Sequence, residues 1–271
     1  MIRKISSLFV LAATLIACAK NPITGRNQAR LVSEQELQAM ASQQYRQFLS
    51  ENRVVSPSAD RDAEMVRRVG QRVANAVTKF YHDRGLGGQL EGYKWEFNLV
   101  QNNDANAWCM PGGKVVVYTG LLPITQNEAA LAMVIGHEIA HATLQHGNER
   151  MSQGLIQQLG GVALAVAVSN RPAETQDLFM NAYGIGSQVG VLLPFSRKQE
   201  LESDKYGMIW GAMAGYNPRE AINLWKRMEK AANGQAPPEF LSTHPASGNR
   251  ISQLEKNLPE ALKYYRPVGR K

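Results

Sequence analysis

Cysteine is scarce in this sequence of 271 residues, where it occurs only as Cys18 and Cys109. We expect Cys18 to lie at the end of a leader segment, which leaves Cys109 without a partner in the domain. One thiol cannot cross-link a fold, so a disulfide-stabilised scaffold is excluded, and a structural zinc site built from cysteines is disfavoured. We expect Cys109 to be a packed small residue rather than a nucleophile.

Long apolar runs, internal repeats and basic stretches interleaved with aromatic residues are also missing. Without such a basic stretch, we expect no nucleic-acid partner. The formal net charge of +7 is mild and includes Arg3 and Lys4 of the leader; it favours anionic surfaces such as a membrane face. With 44% hydrophobic residues, the chain can form one domain with a sizeable core.

The first 18 residues have the pattern of a secretory signal. Their apolar stretch, 5–17, is shorter than the roughly 20 residues of a transmembrane helix. It ends in Leu15-Ile16-Ala17-Cys18, which resembles a bacterial lipobox, so Cys18 would become the lipidated first residue of the mature protein. The alternative is an ordinary signal cleaved after Ala19. Ala19 also indicates, by resemblance to Gram-negative lipoproteins, the outer membrane.

Periodicity and capping signals predict an α+β fold, mostly helical with one small β-sheet, as a single domain over residues 33–271. A polar, irregular tether is predicted over 19–32. The predicted helices cover about 33–49, 60–81, 125–144, 196–213, 218–232 and 251–258, and capping boxes at Ser33–Glu36 and Thr125–Glu128 open the first and third. The predicted strands cover 94–100 and 114–118, with a turn at 111–113. Residues 151–194 are ambiguous, and we prefer a helical hairpin that lies over the active site as a lid.

The third predicted helix carries the motif His137-Glu138-x-x-His141. Four residues turn an α-helix by about 400°, so the two imidazoles share one face and can reach one zinc ion. Glu138 is poorly placed as a ligand but can act as a base toward water at the metal. The surrounding residues are apolar, and buried histidines without a partner are costly, which favours a metal over two surface histidines.

The spacing of residues alone does not identify the third zinc ligand. The metzincin pattern fails because Leu144 and Gly147 stand where it needs glycine and histidine. His146 is off the ligand face, and we expect it to interact with the helix dipole. Glu200 and Asp204 share a face of the helix at 196–213, so Glu200 could ligate zinc while Asp204 orients a ligand histidine. The alternative is a solvated acidic face, and we expect Glu202 to point toward solvent in either case.

Several motifs together resemble the gluzincin metallopeptidases of peptidase family M-48, the HtpX and LoiP type, over roughly residues 21–258. They are Asn106–Gly113, Tyr118–Leu122, His137-Glu138-x-x-His141, Phe195-Ser196-Arg197, Glu200-x-x-x-Asp204 and Ser242–Pro245. The short, lipidated periplasmic members are the most similar. The resemblance implies a zincin-type domain with one Zn²⁺ per chain, Glu200 as third ligand and Asp204 as its supporting partner.

Other candidate site residues lie outside the helix motif. His244 could donate to the oxyanion of the tetrahedral intermediate, or it could occupy the open zinc position in a resting state. Arg250 is a weaker candidate for the oxyanion. The strand Lys114, Val115, Val116, Val117, Tyr118 could offer an edge to which an extended substrate adds, or it could be core.

These features predict a zinc-dependent endopeptidase acting on unfolded or misfolded proteins. By resemblance, its role is periplasmic quality control of outer-membrane proteins, with membrane contact through the lipid on Cys18 and membrane-protein partners that the sequence does not identify. The rival classes are a zinc-bearing chaperone or binding lipoprotein with little turnover, and a zinc hydrolase of cell-wall amides. The intact Glu138 argues against the first rival, because a scaffold needs no base there.

Overall fold

The computed structural model describes residues 18–159, 172–183, 185, 196–232, 240–245 and 249–267. The helices are α1 (Glu34–Glu51), α2 (Arg61–His82), α3 (Leu122–Thr125), α4 (Glu128–Thr143), α5 (His146–Leu159), α6 (Pro172–Ala182), α7 (Arg197–Met213), α8 (Glu220–Ala232), α9 (Phe240–Thr243) and α10 (Arg250–Tyr264). The strands are β1 (Cys18–Lys20), β2 (Asn27–Ala29), β3 (Val54–Val55), β4 (Glu96–Val100), β5 (Ala107–Met110) and β6 (Lys114–Tyr118). The predicted α+β fold class is confirmed.

Four strands form the main sheet in the order β3-β4-β6-β5. Strands β4 and β6 run parallel, with Phe97 opposite Val115, whereas β5 and β6 form an antiparallel pair with Cys109 opposite Val115. The turn between β5 and β6 uses Gly112 and Gly113, both with positive φ, as the sequence predicted. Strand β6 is therefore paired along both edges.

Both faces of this sheet are covered. Val115 and Val117 face a core shared with α2, α4, α7, α8 and α10, and Val116 and Tyr118 face a second core shared with α1, α5 and α6. A strand buried on both faces needs apolar residues at successive positions, which explains the uninterrupted apolar run of β6. The sheet thus separates the helices that carry the site from those on its far side.

Most of the predicted helices are present, but the third begins differently. Its N-cap is Asn127, whose Oδ1 accepts a hydrogen bond of 2.8 Å from the backbone N–H of Ala130. Thr125 instead ends α3, and its hydroxyl donates to the Leu122 carbonyl. Gln126 has φ 63°, which separates the two helices and makes a capping box from Thr125 impossible.

Residues 19–32 do not form the irregular tether that the sequence suggested. Strands β1 and β2 make an antiparallel hairpin, and the Asn21 side chain accepts from two backbone N–H groups in its turn. Asn21 and Gln28 are buried and both donate to the Leu144 carbonyl at the end of α4, at 3.0 and 2.9 Å. This N-terminal hairpin is consequently part of the folded domain.

The predicted helical hairpin over 151–194 is described in part. Helices α5 and α6 pack against each other. Residues 160–171 and 186–195 lie outside the described residues, including the apolar stretch at 162–168 and much of the predicted lid. Within the described part of the chain, the helices are all too short or too polar to cross a bilayer.

Helices α4 and α7 come closest at two glycines. A Cβ atom placed on Gly136 would lie 2.7 Å from the Gly207 carbonyl oxygen, and one on Gly207 would lie 2.6 Å from the backbone nitrogen of His137. Real Cβ atoms do not approach backbone this closely, so only glycine allows this crossing. The contact lies directly beside His137, and it sets how far α7 stands from the helix that carries the motif.

We expect Gly207→Ala to destabilise the domain by about 2 kcal/mol, because overpacking against backbone outweighs the better helix propensity of alanine. We also expect weaker Zn²⁺ binding, since α7 must move away from His137. Thermal unfolding and chelator competition measure the two effects. Gly87→Ala is the control, because nothing lies within 4 Å of its added Cβ. If Gly207→Ala has the stability and the Zn²⁺ affinity of wild type, the two helices have room for the added methyl group and the prediction is wrong.

Candidate metal centre

Helix α4 presents the motif residues to a buried space. Asn127 caps its first turn, and it ends at Thr143, so His137, Glu138 and His141 lie in its last two turns. All three side chains are buried. The Nε2 atoms of His137 and His141 lie 3.0 Å apart, so both imidazoles point to one place, as the four-residue spacing predicted.

Helix α7 brings Glu200 to the same place. Ser196 and Gln199 form a capping box at its start, which fixes the first turn where Glu200 lies. Glu200 Oε1 is 3.2 Å from His141 Nε2, and Oε2 is 3.6 Å from His137 Nε2. Glu200 and Asp204 are both buried, so they are not the solvated acidic face that the spacing left open.

His244 supplies a fourth donor from the loop after α9. Its Nδ1 lies 3.2 Å from His137 Nε2 and 3.0 Å from Glu200 Oε1. The ring stacks on Phe240 with centroids 4.3 Å apart, and Nε2 lies 3.5 Å from Glu138 Oε1. His244 thus lies within reach of the donor atoms of His137, His141 and Glu200.

The four side chains fit a zinc ion. Their donor atoms all lie within 4.8 Å of one another, and the closest separations run from 3.0 to 3.6 Å. Bonds of about 2.0–2.1 Å at tetrahedral angles place donor atoms about 3.3 Å apart, and imidazole and carboxylate are donors that zinc prefers. Glu138 Oε1 is buried without a hydrogen-bond partner, as expected of a side chain kept for another group.

Burial and charge set the protonation of these groups. Burial lowers the pKa of His244 to about 4 and that of His141 well below its usual value, so both rings are neutral and able to bind a cation. Burial raises the pKa of Glu138 well above its usual value. Burial alone would do the same to Glu200, but the charge of Arg250 reverses the effect and holds its pKa well below normal.

Asp204 lies directly behind the first ligand histidine. Its Oδ1 is 3.0 Å from His137 Nδ1, so an N–H there would leave the lone pair of Nε2 free for the metal. Arg250 donates to both oxygens of Asp204, at 2.8 and 2.6 Å, and Nη1 lies 2.5 Å from Glu200 Oε2. Trp225 covers the guanidinium at 3.5 Å.

These contacts do not favour the predicted oxyanion role of Arg250. The guanidinium is fully buried, and its donors are directed at Asp204, Glu200 and two loop carbonyls rather than at a space a substrate could enter. It acts instead as the counter-ion of two carboxylates. The sequence did not predict this pairing, because Arg250 lies far along the chain from Glu200 and Asp204 and no local pattern connects them.

His146 and Glu202 were both placed wrongly by the sequence argument. His146 is fully buried at the start of α5, with Nδ1 3.0 Å from His141 Nδ1 and Nε2 2.8 Å from Glu202 Oε2. Glu202 therefore points inward rather than to solvent. The positive φ of Gln145 ends α4 and turns the chain back, so that His146 comes to lie behind His141.

The predicted substrate strand at 114–118 is wrong, because β6 lies inside the sheet between β4 and β5. Strand β5 is the edge next to it in the described sheet, and α4 packs against it. Cys109 of β5 is a free, buried thiol, as expected. Burial, and to a smaller extent the Glu138 carboxylate, raise its pKa well above normal.

Residues 59–258 match the sequence profile of Peptidase family M48. The chain belongs to this family. The match includes His137, His141, Glu200 and His244, so the metal centre lies inside the family domain. Peptidase family M48 consists of zinc metallopeptidases, which agrees with the donor set and with the fold.

Three relatives illustrate the similarity. The chain is 34% identical to mitochondrial metalloendopeptidase OMA1 of Schizosaccharomyces pombe, over 89% of this chain and 66% of that protein. It is 36% identical to OMA1 of Saccharomyces cerevisiae, over 70% and 54%. It is 32% identical to the β-barrel assembly-enhancing protease of Yersinia pestis, over 58% and 33%. The chain thus spans between about a third and two thirds of the length of these relatives.

We expect Glu200→Ala to lose most of its Zn²⁺, and His244→Ala to keep one ion per chain with lower affinity, because three protein ligands suffice for a catalytic zinc site. Metal analysis after gel filtration and chelator competition measure stoichiometry and affinity. Glu255→Ala, at an exposed position of α10, is the control. Equal zinc content in Glu200→Ala and wild type would remove Glu200 from the ligand set.

Proposed function

We propose that the protein is a zinc-dependent endopeptidase that hydrolyses peptide bonds in extended protein segments. The observation that carries this proposal is the position of Glu138. Its carboxylate lies beside the donor cluster of His137, His141 and Glu200, is buried, and has one oxygen without a hydrogen-bond partner. A structural metal site has no use for such a group.

The chain's own residues supply the proton transfers. When bound, zinc lowers the pKa of a water molecule and polarises a substrate carbonyl. Glu138 takes the proton from water and returns it to the nitrogen of the leaving amine, and the raised pKa that burial gives it makes it a stronger base and then a competent acid. His137, His141 and Glu200 hold the metal, and Asp204 orients His137.

His244 controls access in this proposal. Its Nδ1 lies in the donor cluster, where it would fill the position that a catalytic zinc site leaves open, and its Nε2 lies 3.5 Å from Glu138 Oε1. Withdrawal of this ring opens the corner to water and substrate. After it withdraws, an imidazole N–H remains near the reacting carbonyl and can donate to the oxyanion, so the two predicted roles of His244 become successive states.

The edge of β5 is the place where we propose that substrate binds. An extended peptide that adds to it forms main-chain hydrogen bonds and depends little on side-chain identity. Strand β5 packs against α4, the helix that carries Glu138, so a peptide added at this edge would lie near the base. Recognition of this kind suits unfolded or misfolded proteins, whose backbones are free to pair.

For the cellular role, we propose proteolytic quality control in the periplasm, at the outer membrane, by a lipoprotein anchored through Cys18. The lipobox-like segment 15–18 supports the anchor. The name of the Yersinia pestis relative links a protease of this family to β-barrel assembly. The OMA1 relatives are named as mitochondrial proteins, so the compartment rests on the leader sequence of this chain rather than on similarity.

The second candidate is a zinc-bearing chaperone or binding lipoprotein with little turnover. It is favoured by His244, because a site with four protein donors resembles a closed structural site. This candidate predicts that unfolded proteins are bound but remain intact, whereas the endopeptidase cleaves them.

We expect Glu138→Gln to retain zinc and to lose at least about 100-fold of the rate of casein cleavage, because the amide cannot accept the proton. Fluorescent casein hydrolysis and metal analysis of the same preparations measure both. Glu128→Gln, in the first turn of the same helix, is the matched control and should cleave normally. Cleavage by Glu138→Gln at the wild-type rate would contradict the mechanism, and intact casein with every zinc-loaded preparation would favour the chaperone.

We expect Cys18→Ala to abolish incorporation of labelled palmitate in a Gram-negative host and to move the protein from the outer-membrane fraction to the soluble periplasm. Cys109→Ala is the control and should stay labelled, since its thiol is buried. If wild type carries no label and fractionates with soluble proteins, the leader is an ordinary signal and the anchor is absent.

A further inference from the structure

The two ligand histidines of α4 are supported in different ways. For Nε2 of each ring to offer its lone pair to a cation, Nδ1 must carry the hydrogen and needs an acceptor. For His137 the acceptor is the carboxylate of Asp204, at 3.0 Å. For His141 the group at 3.0 Å is another imidazole nitrogen, Nδ1 of His146.

The contacts of His146 determine where its hydrogen lies. Its Nε2 is 2.8 Å from Glu202 Oε2, which accepts only, so Nε2 carries the hydrogen and Nδ1 is left as an acceptor. The Ser203 hydroxyl, 3.3 Å from the same Nδ1, can donate there as well. The chain of hydrogen bonds therefore runs in one direction, from His141 through His146 to Glu202.

This chain ends on an arginine of the N-terminal hairpin. Arg26 donates to both oxygens of Glu202, from Nε at 2.9 Å and from Nη2 at 3.1 Å. The other side of the guanidinium is bound by Glu149, through Nη1 and through Nη2 at 2.7 Å. Gln199 donates to Glu149 at 2.8 Å and closes the network. A planar guanidinium suits this two-sided contact in a way that a lysine does not.

The hairpin itself is attached to the end of the metal-binding helix. Asn21 and Gln28 both donate to the carbonyl of Leu144, which caps α4, and the Tyr206 hydroxyl of α7 donates to the carbonyl of Ile23. Arg26 is thus held at a fixed place relative to both helices that carry ligands. Arg250 has the corresponding position on the other side, where it holds Asp204 behind His137.

We propose that Arg26 is a positioning residue of the metal centre: by holding Glu202, it keeps His146 in the orientation and tautomer that fix His141 as a ligand. The N-terminal hairpin then contributes to metal affinity indirectly, through Glu202 and His146. This inference rests on the zinc site of the proposed function. It assigns a role to a segment outside the residues that match the family profile.

The test measures Zn²⁺ affinity by chelator competition in Arg26→Gln, Glu202→Gln and the double variant. We expect each single change to weaken binding by about 10- to 100-fold, the usual cost of losing a group that supports a metal ligand. We expect the double variant to bind no more weakly than the poorer single variant, because both changes break one chain of contacts.

Controls separate this role from general stabilisation. Arg68 also bridges two carboxylates, Glu64 and Glu128, away from the metal centre, so Arg68→Gln should leave affinity unchanged. Arg26→Lys keeps the charge without the two-sided contact, and we expect intermediate affinity in a chain that still folds, as checked by circular dichroism. Losses that add in the double variant would indicate a merely structural role.

The outcomes also separate a failure of the Arg26 proposal from a failure of the zinc site on which it rests. If wild type binds zinc with high affinity and both Arg26→Gln and Arg26→Lys bind it equally well, Arg26 does not position the centre, and the endopeptidase proposal stands. If wild type binds no zinc, the endopeptidase proposal fails, and the role of Arg26 fails with it.

Discussion

The metal centre depends on the close crossing of α4 and α7. Two glycines, Gly136 and Gly207, let the helix backbones touch directly beside His137. Because helices with ordinary side chains at the contact stand about 8–10 Å apart, an added methyl group here would separate Glu200 from the two histidines of α4. Zinc tolerates donor displacements of only a few tenths of an ångström, so the backbone contact decides whether a carboxylate from one helix and imidazoles from the other can share an ion.

A second constraint is the cost of burying many polar groups together. The centre places imidazoles and carboxylates together in a buried space, where unpaired charges are expensive. Arg250 offsets part of the negative charge of Glu200 and Asp204, and lowers the pKa of both carboxyls against the effect of burial. On the opposite side, the hydrogen bonds of His146 and Arg26 lower the pKa of Glu202 against the effect of burial. The remaining negative charge suits a divalent cation, which is why the donor cluster is chemically incomplete by itself.

The sequence predicted the structure correctly where the spacing of residues within a single helix determines the contacts. The spacing of His137, Glu138 and His141 and the capping box at Ser33 rest on contacts within one helix, and the structure has them. It failed where the partner is distant in the chain: Thr125 competes with Asn127 as a cap, and β6 looks like an edge until its neighbours are known. The role of His146 depends on the positive φ of Gln145, which cannot be predicted from a glutamine in the sequence. Polar residues of the N-terminal hairpin, such as Asn21 and Gln28, form buried hydrogen bonds. In the sequence alone, the same polarity suggested an irregular tether.

The two arginines behind the ligands come from opposite ends of the described chain, Arg26 from the first hairpin and Arg250 from the last helix. A ribosome that has not yet made α10 therefore holds a chain whose Glu200 and Asp204 lack their counter-ion. In such a chain, burial of the two carboxylates without a counter-ion would be costly and would oppose assembly of the cluster. Assembly of the metal centre thus depends on α10, which follows the helix of Glu200 and Asp204 in the chain.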